Sequence, residues 1–290
     1  MALSLLLTAA LVLTPQEAET PEPQPAPAPA AKTDERAKTL LEEGESYLYR
    51  PTQDGLRSFS FDFAMDIPTL GNIGRVSCAW DAKTGPSVSF TASEAAADTP
   101  LPIPIEQLGP AMQGAGYEMV ALQLNQMGSR LLETHTIAFE GVTDEGMIQL
   151  RCTPAFAGPE SGSLPEQVVL LDADGIPQKI QVSIEQMGMT IDVSDSFSWK
   201  EVGEEDLLVM DKKVSQQDAG FMGKVSQTTA FNVENLAGFY LVTGYTLEIS
   251  GGAGPGMNQT QTMVFENFVI NGQVAAVPPE SAEATSESEG

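Results

Sequence analysis

Basic residues are scarce in this chain: 14 Lys and Arg stand against 40 Asp and Glu in 290 residues, a formal net charge of −26 with the single histidine neutral. So acidic a body repels phosphate backbones and anionic headgroups, which argues against nucleic-acid binding and against adhesion to an anionic membrane surface. The charge itself reads as a solubility device. With one histidine, His135, a His-rich zinc site is out of reach, and a Ser-His-Asp arrangement would have to be built on that residue alone. His135 shares parity with Ile137 and Phe139, the pattern of a strand-start histidine satisfied by its neighbours. Cysteine is limited to Cys78 and Cys152. Neither stands in CxxC spacing or beside a histidine, so neither reads as catalytic. No metal or cofactor motif emerges: Gly251–Gly256 has neither the Lys nor the strand–helix context of a phosphate loop, and after Asp172 and Asp174 the glycine comes too early for a calcium loop. Glu204-Glu205-Asp206 reads as solvated loop charge rather than an acid–base pair.

Long apolar runs are also missing. The apolar stretch at residues 2–13, ALSLLLTAALVL, is too short to span a membrane as a helix and has the length of a signal-peptide core. Residues 1–18 are therefore expected to be a signal peptide and the chain to be exported, to a periplasmic or extracellular location, with no stable transmembrane span in the mature chain. The alternative is an uncleaved anchor; no Cys follows the run, so a lipobox-type acylated anchor is not available. Residues 19–32 form a Pro/Ala-rich spacer and residues 276–290 an acidic tail, both without core-forming residues and expected to be disordered. One domain is expected between them, over 33–275, with 42% hydrophobic residues in the chain to build its core. Asn258-Gln259-Thr260 is a glycosylation sequon, relevant only where that machinery exists.

What this domain contains is mostly strand. Phe59, Phe61, Phe63 and Met65 alternate with Ser58, Ser60, Asp62 and Ala64, and three phenylalanines on one face demand cover. Val168–Trp199 reads as three strands of an antiparallel meander. Its first turn, Asp172-Ala173-Asp174-Gly175, has hairpin chemistry; Ile180, Val182 and Ile184 then alternate with polar residues, as do Met189, Ile191, Val193, Phe197 and Trp199. Two long strands, Phe239–Ser250 and Thr260–Asn271, close the domain. In the second, Met263, Phe265 and Val269 face one way and Val264, Phe268 and Ile270 the other, as if both faces were buried. A helix capped by Asp34 and carrying Ala37, Leu40, Leu41, Tyr47 and Leu48 leads the domain. A second helical stripe runs from Tyr117 through Val120, Ala121 and Leu124 to Leu131, with Gly109, Pro110, Gly114 and Gly116 disturbing any earlier helix. From Lys200 to Leu236 no long period is visible, and an irregular excursion is expected. The total is an α+β domain of about ten antiparallel strands with two helices. Cys78 and Cys152 both point to apolar faces. If the chain is exported, a disulfide between them would close a long loop, worth on the order of 4 kcal/mol; otherwise they are two buried thiols.

The order of these elements, together with Val168–Val182 (VVLLDADGIPQKIQV), Met189–Asp195 (MTIDVSD) and Met263–Asn271 (MVFENFVIN), resembles the LolA-like group of exported proteins, which includes outer-membrane lipoprotein carriers, lipid-binding lipoproteins and sensor domains. The resemblance covers roughly residues 33–275. It implies a single large, strongly curved antiparallel sheet, a half barrel with helices on its concave side, that binds acyl chains without catalysis. On that reading the ligand-binding face includes Phe59, Phe61, Phe63, Met65, Val76, Trp80, Ile180, Val182, Ile184, Ile191 and Val193, and the partner is a lipid or acyl chain. Twelve methionines fit either an adaptable cavity or gap-filling in a large core. The alternative is an extracytoplasmic structural or sensory module with the same faces as ordinary core and an envelope protein as partner.

Overall fold

The computed structural model describes residues 32–67, 71–94, 105–125, 127–155, 165–186, 189–218, 224–251 and 258–275. The expected signal peptide, nearly all of the spacer and the acidic tail lie outside the described residues. After helix α1 (Glu35–Ser46) come strands β1 (Ser58–Ile67), β2 (Gly71–Asp81) and β3 (Gly85–Ala92), then helices α2 (Ile105–Leu124) and α3 (Met127–Thr134). Strands β4 (His135–Val142), β5 (Ile148–Pro154), β6 (Gln167–Leu171), β7 (Pro177–Gln186), β8 (Met189–Val202), β9 (Leu207–Asp218), β10 (Lys224–Leu236), β11 (Phe239–Gly251), β12 (Gln259–Ile270) and β13 (Gln273–Val274) follow. All belong to one 13-stranded antiparallel sheet in the order β3-β2-β1-β12-β11-β10-β9-β8-β7-β6-β5-β4, with β13 beside β12. Most neighbours are consecutive in sequence, and the one long return brings β12 beside β1. The sheet does not close, since β3 and β4 are its two ends. The α+β class and the single antiparallel sheet are as expected; the strand and helix counts are higher.

Three hydrophobic cores pack on this sheet: two larger ones toward its ends, and a small one in which Tyr49 covers Val202 and Val209 on the middle strands. In the first, Phe61 lies 4.8 Å from Phe265 and 5.5 Å from Phe268, ring to ring, and α2 supplies Met112, Val120 and Leu124 as the cover that the phenylalanine strand demands. Gly116 lets α2 approach: a Cβ there would stand 2.4 Å from Val88 and 3.1 Å from the Cys78 sulfur. The helix therefore begins at Ile105 and runs through Pro110 and the glycines that the sequence suggested would disturb it. It stops at Asn125, which adopts φ 49° and donates its side-chain amide to the carbonyls of Tyr49 and Leu208. What reads as one stripe to Leu131 is thus two helices.

The second core joins Ala37 and Leu41 of α1 and Leu131 of α3 to Ile137, Leu150, Val169 and Leu171. Asp34 caps α1, accepting from the Arg36 amide at 2.7 Å, as its position suggests. At the other end of α1 the Glu45 carboxylate accepts from the Ser129 amide and, at 2.7 Å, from the Ser129 hydroxyl, so one helix caps the next. Glycine permits the remaining contact. A Cβ on Gly44 would lie 2.0 Å from the carbonyl oxygen of Gly175, which itself adopts φ +81° in the turn between β6 and β7.

Two expectations are corrected. The described residues between 200 and 236 are not an irregular excursion but the end of β8, a short turn and the whole of β9 and β10. Their sequence lacks alternation because these central strands have few buried residues on either face: β10 is half-buried or exposed along its length until Leu236. In β12, moreover, Met263, Phe265, Phe268 and Ile270 all enter one core while Val264 stays exposed. Asn267, at φ 56°, with a matching register shift in β1 between Ser60 and Asp62, moves the apolar parity by one residue, so the strand is buried on one face rather than two.

Candidate functional site

The residues proposed from the sequence separate into two groups. Phe59, Phe61, Phe63, Met65 and Val76 are at most 2% exposed inside the first core, and Trp80 packs at its edge with its ring 5.8 Å from Phe59. Their apolar surface is consumed by α2, β12 and each other. Ile180 lies at the margin of the second core. Beyond it Val182 faces Val193 and Ile184 faces Ile191 across β7 and β8, half-buried except for Ile184, which is 38% exposed. These four share the face of Ile180, the face on which the helices pack, and no described helix covers them. They form an apolar strip between the two sealed cores.

An ion pair stands at the head of this strip. Asp195 lies opposite Ile180 on one side and Ser215 on the other, and Lys213 on β9 reaches it with Nζ 2.8 Å from Oδ2. Asp195 is 3% exposed and its Oδ1 has no hydrogen-bond partner. A buried carboxylate oxygen left unpaired is costly in a purely structural pair. No sequence pattern marks it, because Asp195 sits in an alternating strand where an apolar residue would be the rule.

The opposite face of the sheet carries a trough of about 840 Å³. One straight row of cross-strand neighbours forms its floor: Val168, Gln181, Ser194, Gln216, Ser226 and Ser250, running from β6 to β11. Val169 and Ile180, with the opposite parity, pack in the second core, while Phe231 and Tyr245 pack against the first. The trough therefore lies on the side away from both cores. Sequence alternation marks Gln181 and Ser183 as the wet face of a strand, but a wet face and a polar trough look alike in one dimension.

The remaining candidates resolve structurally. His135 is buried, with Nδ1 2.8 Å from the Thr134 hydroxyl and Nε2 2.8 Å from the Gln167 amide; burial holds its pKa below the ordinary value. Asp172 Oδ1 accepts from the amides of Asp174 and Ile176, which makes this segment a turn. Among the described residues no group of His, Cys, Asp and Glu could hold a metal ion. Of the two readings of the cysteines, the disulfide does not form: Cys78 is a free thiol in the first core and Cys152 a free thiol in the second. Burial pushes both up to about 12, with Asp62 adding to the effect at Cys78. Such thiols are protonated and poor nucleophiles at neutral pH. No described helix is long and apolar enough to cross a membrane.

Comparison with protein-family models, with curated proteins and with solved structures found no match. The class that can be stated from the structure is an open, single-sheet antiparallel α+β protein with an apolar strip on one face and a polar trough on the other.

Proposed function

We propose that the protein is an exported, non-enzymatic binding protein of the LolA-like kind, which holds a lipid or lipoprotein acyl chain against Ile180, Val182, Ile184, Ile191 and Val193. The observation that supports this is the strip itself. Branched aliphatic residues stand half-exposed on the helix-bearing face between two cores that are each sealed by helices, and burial of an acyl chain there would stabilise the complex by about 0.8 kcal/mol per methylene. The phenylalanines of β1, Met65, Val76 and Trp80 then serve as the wall that carries the strip rather than as its contacts. In this reading the open sheet is a strongly curved half barrel with the helices on its concave side. A strongly twisted sheet is saddle-shaped, so it can be concave toward the helices along one diagonal and toward the trough along the other. Asp195 and Lys213 would meet the polar end of the ligand, with Asp195 Oδ1 free to accept a donor.

Titration of the full chain with cis-parinaric acid tests this. Saturable fluorescence is expected, weakened at least about tenfold by Ile184→Asp with Val193→Asp, whose far-UV circular dichroism should stay unchanged. A linear, non-saturating response from the natural chain, or equal affinity in the doubly substituted one, would remove the proposal. The second reading, a protein-interaction module, is favoured by the edge of β3, which ends the sheet, is paired by no described strand and could accept a partner's strand. It predicts that Ser89→Pro, on that edge, abolishes cross-linking to a protein of the native envelope, whereas identical cross-links would count against it.

A further inference from the structure

We infer that the trough, lined mostly by side chains of the helix-free face although Val182 and Val193 of the strip also border it, is a second site, and that it takes a neutral polyhydroxylated chain, a glycan, laid across β7 to β11. The inference rests on which of its polar groups are already engaged. Every carboxylate in the trough has a partner: Glu166 accepts from Arg151 at 3.2 Å, Asp192 from the Ser183 hydroxyl at 2.6 Å, and Asp218 lies 3.6 Å from the Lys224 ammonium. The neutral groups are not engaged. Among the described residues, the side chains of Gln181, Ser194, Gln216, Ser226 and Ser250 make no hydrogen bond, although they follow one another directly across five strands.

Neighbouring strands are roughly 4.8 Å apart, so this row offers an amide or hydroxyl at each step along a path perpendicular to the strands. Amides and hydroxyls both donate and accept. Their complement is a ligand that also does both and carries no charge. An anion would enter against the acidic body and the trough's own carboxylates; a cation would have to compete with Arg151, Lys224 and the Ser183 hydroxyl for carboxylates they already engage. The volume of about 840 Å³ lies in the range of small-ligand sites. A row that crosses five strands suits a chain rather than a single sugar.

The test is isothermal titration of the full chain with maltohexaose, cellohexaose and chitohexaose, beside spermine and an oligogalacturonate, repeated on the Gln181→Ala, Gln216→Ala double variant. Both glutamines are exposed, so the variant is expected to fold. Saturable binding of at least one neutral hexasaccharide, weakened about tenfold by the loss of two hydrogen-bonding amides, is the expected result. No binding of the three, binding of spermine or oligogalacturonate alone, or a neutral oligosaccharide held equally well by the double variant would overturn the assignment.

Discussion

At the scale of single residues, two glycines and two thiols carry the sharpest consequences. Gly44 and Gly175 touch backbone to backbone, and a Cβ at either would meet a carbonyl oxygen at 2.0 Å or 2.4 Å. Neither contact can yield without moving α1 off the turn between β6 and β7. Gly44→Ala and Gly175→Ala are each expected to destabilise the protein by at least about 2 kcal/mol in urea unfolding, whereas alanine at Gly109, inside α2 where a Cβ meets no described atom, should not lower the midpoint and should raise stability by up to about 1 kcal/mol through helix propensity. Cys78 and Cys152 make stability depend on alkaline pH. Their folded pKa values, pushed up to about 12, stand above the ordinary 9.0. Between those values the unfolded chain loses protons that the folded chain keeps, so stability is fully present below about pH 9 and falls as pH rises toward 12. Chemical denaturation at about pH 8 and about pH 10.5 should show this loss, with a smaller loss in Cys78→Ala and Cys152→Ala. Equal loss in all three proteins would exclude the thiols as its source. The turn role of Gly175 and the cap role of Asp34 are both legible in sequence, since each depends on a few adjacent residues. The contact between Gly44 and Gly175 is not, because it joins residues that only the fold brings together.

Among the elements, α2 and β12 are coupled through a gap in the sheet. β12 pairs with β11 over 259–264 and then with β1 over 265–270, so it leaves β11 before the start of that strand. Gln123 of α2 fills the vacated position: its Nε2 donates to the Val242 carbonyl at 2.7 Å and its Oε1 accepts from the Val242 amide at 2.8 Å. The glutamine is 3% exposed, so water cannot replace it easily. Gln123→Leu should leave both backbone groups unpaired and cost roughly 2–4 kcal/mol, read from the urea midpoint, while Gln123→Glu would rescue at most the donor side. A shift below about half a kcal/mol in Gln123→Leu would mean that the amide is not needed there. The same elements show where sequence periodicity stops being informative. Strands that line a core, such as β1 and β7, alternate plainly and are legible. β9 and β10 carry Lys213, Ser215, Gln227 and Thr229 on the helix-bearing face, where a core strand would place aliphatic residues. Their pairing is held by the ladder and by neighbours rather than by a buried stripe, and the binary pattern that identifies a strand is absent. In β12 the left-handed Asn267 shifts the pattern midway, which a fixed period of two cannot anticipate.

For the molecule as a whole, the arrangement is two sealed ends and a middle that is covered only at one end, where Tyr49 packs on Val202 and Val209. The first core is built on β1, β2, β11 and β12 beneath α2, and the second on β4 to β6 beneath α1 and α3. Of the strands between them, β7 and β8 present aliphatic residues to one side, and β7 to β11 present a row of amides and hydroxyls to the other. An antiparallel α+β architecture is legible from the succession of alternating segments and from the two helical stripes, whereas a single sheet is implied only by the LolA-like resemblance. The division of the apolar residues between core and open strip was not, because Phe61 and Val182 obey the same alternation and only the position of α2 separates them. The number of a strand in the chain does not reveal which partner will cover it. The measurement that bears most directly on the proposed function is the native mass spectrum of the full chain purified from its own host, recorded before and after denaturation. A stoichiometric lipid that is retained in the folded protein and released only on denaturation, and that is lost in the Ile184→Asp, Val193→Asp variant, is the expected result. A mass equal to that of the bare polypeptide under both conditions, from protein that also fails to take up added fatty acid, would contradict it.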